Sequence, residues 1–218
     1  TSIINIPIEI PFATIENNLN NALGQKLFAD KGMDLGSGFF TDIDVNRTGL
    51  IKLSAMDSKK MSIQIPMNMA GNLKFEKRIF GQNLNTAIPF NETLLPEISF
   101  RPNIGQNWDF SLEDINIESY GRSMKYNLLG FEIDLDPMIR KQLQSVLNNQ
   151  LSASNLTRLD FREMAQEAWD GFSKPIALEQ DGVSAYIYTQ PTKLKIREEV
   201  TADRKLKLFL GIEGEVFS

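Results

Sequence analysis

The sequence predicts an α+β domain: an antiparallel sheet with its helices packed on one face. Three observations lead there. Period-2 apolar alternation recurs from residue 39 to 135, and the segments are separated by short polar turns of hairpin type. Helical periodicity occupies two separate stretches, one near residue 12 and one from 136 to 172. The resulting order is strand, helix, strand meander, broken helix, strands, which is not the strand–helix alternation of a parallel sheet.

The chain opens on a strand-like "TSIINIPIEI". "PFATIENNLNNALGQKLFAD" then predicts a helix over about 12–29, with Ile15, Leu19, Ala22, Leu23, Lys26 and Leu27 on one stripe and "KGMDLGSG" ending it. Its polar face is crowded with Asn, a modest helix former, so tertiary contacts are expected to hold it. "FFTDIDV" places Phe39, Thr41, Ile43 and Val45 on one strand face; after "RTG", "LIKLSAM" does the same with Ile51, Leu53 and Ala55. "KMSIQIPMNMAGNLKF" reads as one strand whose apolar face is Met61, Ile63, Ile65, Met67 and Met69. Residues 81–95 read as a loop or weak edge.

In "NWDFSLEDINIES", Trp108, Phe110 and Leu112 alternate, but Ile115 and Ile117 have the other parity. A bulge at Glu113-Asp114 would reconcile them. "YNLLGFEIDLD" reads as one strand through Leu129, Phe131, Ile133 and Leu135. Asp136-Pro137 is an N-cap and N1 pair for a helix with Ile139, Leu143, Val146, Leu147 and Leu151 inward. "SASNLTR" interrupts it, and Asp160 with Glu163 resembles a capping box before the stripe Phe161, Met164, Ala165, Ala168, Trp169 and Phe172. "GVSAYIYTQ", "KLKIREE" and "RKLKLFLGIEGEVFS" read as three closing strands, the last running to Ser218.

Composition narrows the chemistry. A chain of 218 residues with 42% hydrophobic and 23% charged residues can bury a real core. The net charge of −5 argues against a nucleic-acid partner. No apolar run is long enough for a transmembrane helix. With no Cys and no His, disulfides, thiol chemistry, zinc sites and His-dependent catalysis are excluded. No cofactor is expected. The carboxylate pairs Asp42/Asp44 and Asp134/Asp136 invite a glycosidase or calcium reading, but they occupy the polar alternate positions of strands, where solvated charges belong.

The opening "IPIEIPFATIENNLNNAL" and the later "AWDGFSKPIALEQDGVSAYIYTQP" resemble an uncharacterised bacterial envelope family of the TULIP (tubular lipid-binding) type, the superfamily of bactericidal/permeability-increasing protein. The resemblance implies a long, strongly curved antiparallel sheet wrapped around amphipathic helices, with an apolar groove between them. It also implies that residues 1–218 are one TULIP-like domain, the N-terminal half of a longer exported or periplasmic protein. The disulfide of animal members is missing here. The function implied is non-enzymatic binding or transfer of a lipid or other long apolar ligand, with membrane contact. On that reading Ile15, Leu19, Leu23, Met61, Ile63, Ile65, Met67, Met69, Leu143 and Leu147 line the groove. From the residues alone, the methionine face serves equally well to close a packed core. Trp108 and Trp169 are read as core anchors in preference to ligand platforms.

Overall fold

The computed structural model describes residues 2–105, 107–156, 159–180 and 182–217. It is an antiparallel α+β architecture, but its strands fall into separate sheets and not one long curled one. Strand β1 (Ser2–Pro11) leads into helix α1 (Phe12–Ala22); β2 (Lys26–Gly36), β3 (Phe39–Arg47), β4 (Lys52–Ala55), β5 (Met61–Gln64), β6 (Met67–Ile79), β7 (Gln82–Leu94), β8 (Glu97–Ile104) and β9 (Phe110–Ser119) follow. Next come β10 (Lys125–Leu128), β11 (Phe131–Asp134), α2 (Asp136–Gln150), α3 (Arg162–Phe172), β12 (Ile176–Gln180), β13 (Val183–Thr201) and β14 (Lys205–Phe217). Among the described residues they form four-stranded sheets of order β1-β14-β13-β12, β2-β3-β6-β7 and β4-β5-β8-β9, plus the β10-β11 hairpin.

Several sequence expectations are corrected. The first helix stops at Ala22, not 29: Leu23 is already extended and Gly24 follows, donating its N–H to the Gln150 side chain at 2.8 Å. Leu27 is still buried, but from a strand whose backbone pairs with β3, a ladder that Gly24 and the exposed edge of β3 favour over another helical turn. The methionine segment is two strands in two sheets. Pro66 cannot donate to a ladder, so the chain leaves one sheet after Gln64 and enters another at Met67. Residues 82–94 form a full strand at the edge of its sheet, its polar side chains facing outward as an edge permits.

"YNLLGFEID" is a hairpin, because Leu129 and Gly130 both have positive φ (57° and 82°) and turn the chain back. Two expected strands near the end are one, β13, with a register shift between Pro191 and Lys193. The strand "IALEQ" before it was not anticipated. The expected bulge is present: β8–β9 pairing shifts between Ser99/Arg101, Asp114 has φ 52°, and Phe110 and Ile117 are both buried. The interruption at 152–158 is real up to Leu156; Thr157 and Arg158 lie outside the described residues, as does Ser218.

Helix starts differ in detail. Leu135 is the N-cap of α2, and the Asp134 carboxylate accepts the Asp136 N–H at 2.9 Å. Asp136 lies in the first turn, where its charge suits the helix dipole, and pairs with Arg140. Asp160 does not form a capping box: Phe161 is the N-cap of α3, and Asp160 accepts the Arg162 N–H at 3.0 Å.

The core runs through all three larger sheets, with α1 against β1 and β4, α2 between β2 and β9, and α3 against β13 and β14. The polar face of α1 is used. Asn20 accepts the Ile51 N–H (2.8 Å) and an Arg47 guanidinium N–H (3.0 Å), and its amide donates to the Ile51 carbonyl (3.3 Å). Glu16 accepts the Leu53 N–H at 3.1 Å and Arg204 at 2.7 Å. These side chains satisfy backbone groups at the edge of β4 that would otherwise be buried unpaired. The total surface is 12633 Å², about a quarter more than the roughly 10,000 Å² of a compact monomer of this mass. The excess reflects strand ends and hairpins that project beyond the core.

Candidate ligand cavity and hairpin tips

All ten residues of the expected groove lining are buried and belong to one continuous core: Ile15, Leu19 and Leu23 around α1, Met61, Ile63, Ile65, Met67 and Met69 from β5 to β6, and Leu143 and Leu147 on α2. Five surface cavities among the described residues, of about 390–730 Å³, are lined by other side chains.

One cavity is an opening of this same core. Farther along β6 the inward parity continues through Leu73 and Phe75, and Phe75 pairs across the sheet with Phe39. Both rings are core members, and both line a surface cavity of about 460 Å³ with Leu35, Ile79, Phe131 and Ile133. Phe39 stacks at a tilt on Phe75 (centroids 5.0 Å) and edge-on to Phe131 (5.8 Å). Lys77 and Glu132 supply polar groups at the rim. This volume is in the range of small-molecule sites, and an apolar wall with few polar groups suits an apolar ligand.

Three hairpins meet there. The turns Ser37-Gly38, Phe80-Gly81 and Leu129-Gly130 each have positive φ at both central residues, as a type I′ turn requires. Ser37 lines the cavity, Ile79 precedes the second turn, and Phe131 follows the third. The Glu76 N–H still donates to the Gly38 carbonyl at 2.9 Å, and beyond it β6 pairs with β7 alone among the described strands, so this hairpin projects past β3. At its tip Phe80 is fully exposed (102%), and Leu129 is 58% exposed at the tip of β10–β11. The sequence reading missed both: Leu129 was placed inside an alternating segment, and Phe80 falls between the methionine strand and the stretch from 81 and was given no role; the Phe-Gly and Leu-Gly dipeptides were the available turn signal.

The remaining candidates have ordinary partners. Asp42 pairs with Lys74 at 2.5 Å and accepts the Gly32 N–H at 2.8 Å; the Lys74 hydrogen bond, then the Gly32 one, hold its carboxyl below the usual range. Asp44 accepts from the Asn46 amide at 2.8 Å. No cluster of three or more acidic side chains that could hold a metal ion occurs among the described residues. Trp108 and Trp169 are half-buried and line one open cavity of about 450 Å³ with Ala165 and Leu194. Burial, then the nearby Asp136 charge, push the Tyr120 phenol up to about 12; its hydroxyl has no hydrogen-bond partner among the described residues, and its ring lies under the Arg140 guanidinium at 5.7 Å.

A family model described as "Domain of unknown function (DUF4403)" matches residues 1–218. The chain belongs to this family. No curated protein matches the DUF4403 chain. Among solved structures, the crystal structure of a lipopolysaccharide binding protein aligns with 99% of the chain at 12% identity, with a TM-score of 0.33. The chain spans about half the length of that protein (50%). No helix among the described residues is long and apolar enough to cross a membrane.

Proposed function

We propose that this DUF4403 domain is a non-enzymatic module that binds a lipid or another long apolar molecule in a bacterial cell envelope. The observation that carries the reading is the cavity where Phe39 and Phe75 bring the core to the surface. A chain end seated between Leu35, Phe75 and Phe131 would exchange water for apolar wall at about 0.8 kcal/mol per methylene. Deeper entry would require the Met67–Phe75 side of the core to move apart, and Met side chains adapt to such changes better than branched ones. The envelope location rests on the sequence resemblance. The non-enzymatic reading is supported by the lack of His and Cys and by carboxylate pairs engaged with cations and backbone N–H groups.

A second reading is favoured by the burial of all ten stripe residues: a structural or interaction module with a filled core. One experiment separates them. An environment-sensitive naphthylamine probe is titrated into wild type and Leu35→Trp. Leu35 is half-buried near the end of β2, so the larger ring fills the cavity without entering the closed core. Ligand binding predicts saturable uptake by the wild type and about tenfold weaker uptake by the variant, with melting temperature changed by no more than about 2 °C. A wild type that takes up no probe sinks the ligand reading.

A further inference from the structure

The hairpin tips point to a second property, independent of whether the cavity holds a ligand. Large apolar residues at a positive-φ turn position are doubly disfavoured. Their Cβ crowds the backbone in the left-handed region, where Asn, Asp or Gly is the ordinary occupant of a type I′ turn. Their side chains also project into water at the hairpin tips. Phe80 (φ 52°) and Leu129 (φ 57°) combine both, at neighbouring tips beside the same cavity. Neither belongs to the buried core, so fold stability does not account for them. A local backbone outlier of this kind is a pointer to function.

The surroundings identify the partner. Lys77 and Arg78 lie immediately before Ile79 and Phe80, on opposite faces of the projecting hairpin, and have no ion-pair partner among the described residues. Apolar tips flanked by long cationic side chains match the interface of a bilayer, where the rings enter the acyl region and the ammonium and guanidinium groups reach phosphate. A protein partner is less well served: two side chains on convex turns offer far less than the roughly 800 Å² per partner of a standard interface. We propose that the Phe80 and Leu129 tips dock this domain on a lipid bilayer, with Lys77 and Arg78 favouring an anionic leaflet.

The test is co-sedimentation of the whole chain with phosphatidylcholine vesicles, with and without 30% phosphatidylglycerol (about a third anionic lipid). Wild type is expected to pellet, more strongly with anionic lipid. The double variant Phe80→Asn/Leu129→Asn should bind at least about tenfold more weakly, yet melt no lower than wild type, because Asn suits both backbone positions. Lys77→Gln/Arg78→Gln should lose the anionic preference, about fivefold per charge at low salt, and keep binding to neutral vesicles. The Phe80→Asn/Leu129→Asn variant, whose changed side chains lie outside the cavity lining, should take up the apolar probe as wild type does in the absence of vesicles, so failure here is distinguishable from failure of the cavity reading. Wild type remaining in the supernatant overturns the proposal, as does an Asn double variant that pellets like wild type, or tips that prove instead to be buried in a dimer of this chain.

Discussion

Replacing Ile65 by Trp asks whether the methionine face is closed. Ile65 is 0% exposed, between β5 and β6, with Ile63 and Met67 on either side at 1% and 0%. Its N–H points to the Pro96 carbonyl at 3.4 Å, which ties the link between the two sheets to the start of β8. An indole is far larger than a sec-butyl group, and a packed site can accept it only by displacing neighbours, at a typical cost of about 1–3 kcal/mol. For a domain of this length each kcal/mol lowers the melting temperature by about 2–4 °C, so the variant should melt about 2–12 °C below wild type. The opposite change is informative too: Ile65→Ala should cost about 2–5 kcal/mol if the surroundings cannot collapse onto the missing atoms. Thermal melting followed by far-UV circular dichroism measures both. If Ile65→Trp melts within a degree of wild type and probe uptake falls, then the stripe lines an accessible space, and the inference from its burial to a closed core is wrong.

Two further outcomes follow from polar contacts. Asn20→Ala removes the side chain that pairs with both backbone groups of Ile51 and with Arg47, leaving the edge of β4 unsatisfied; urea unfolding should show a loss of about 1–3 kcal/mol, and an unchanged midpoint would mean that water replaces these bonds without cost. Asp42 is held below the usual carboxylate range by Lys74 and the Gly32 N–H, so the folded state favours its charged form. Its contribution to stability is therefore complete above about pH 4 and is lost as pH falls through the lowered folded value. Asp42→Asn should flatten the acid side of the stability–pH curve, whereas an identical acid limb in wild type and variant would show that the pairing with Lys74 does not matter in solution.

Sequence pattern carried the element types well where one constraint acted alone. In β3, alternation of Phe39, Thr41, Ile43 and Val45 corresponds to a buried face, and the parity switch between Leu112 and Ile115 located a bulge. It failed where a second constraint competed. The stripe through Leu23 and Leu27 fits a helix, but the unpaired edge of β3 takes that stretch as a strand, and both leucines are buried either way. Alternation across Pro66 continues without a break because side-chain parity does not record which sheet the backbone pairs with. The ten stripe residues were legible as one apolar surface, yet alternation cannot distinguish a wall from a filled interior; only coordinates show that they are closed off while Phe39 and Phe75 reach an opening.

The hairpin tips expose the same weakness from the other side. A period-2 reading assigns every apolar residue of a run to an inward face, so Leu129 was counted with Phe131 and Ile133 as one strand. A turn inserted in the run breaks that logic, because its central side chains leave the sheet altogether. In "LLGF" and "IFGQ" the glycine marks the turn, and the residue before it then inherits a left-handed backbone and an exposed side chain. A chain optimised only for folding would place Asn there. That Phe and Leu stand in these positions beside one cavity is the reason to look for their partner outside the fold, and a bilayer is the partner whose chemistry fits both the apolar tips and the cations that precede Phe80.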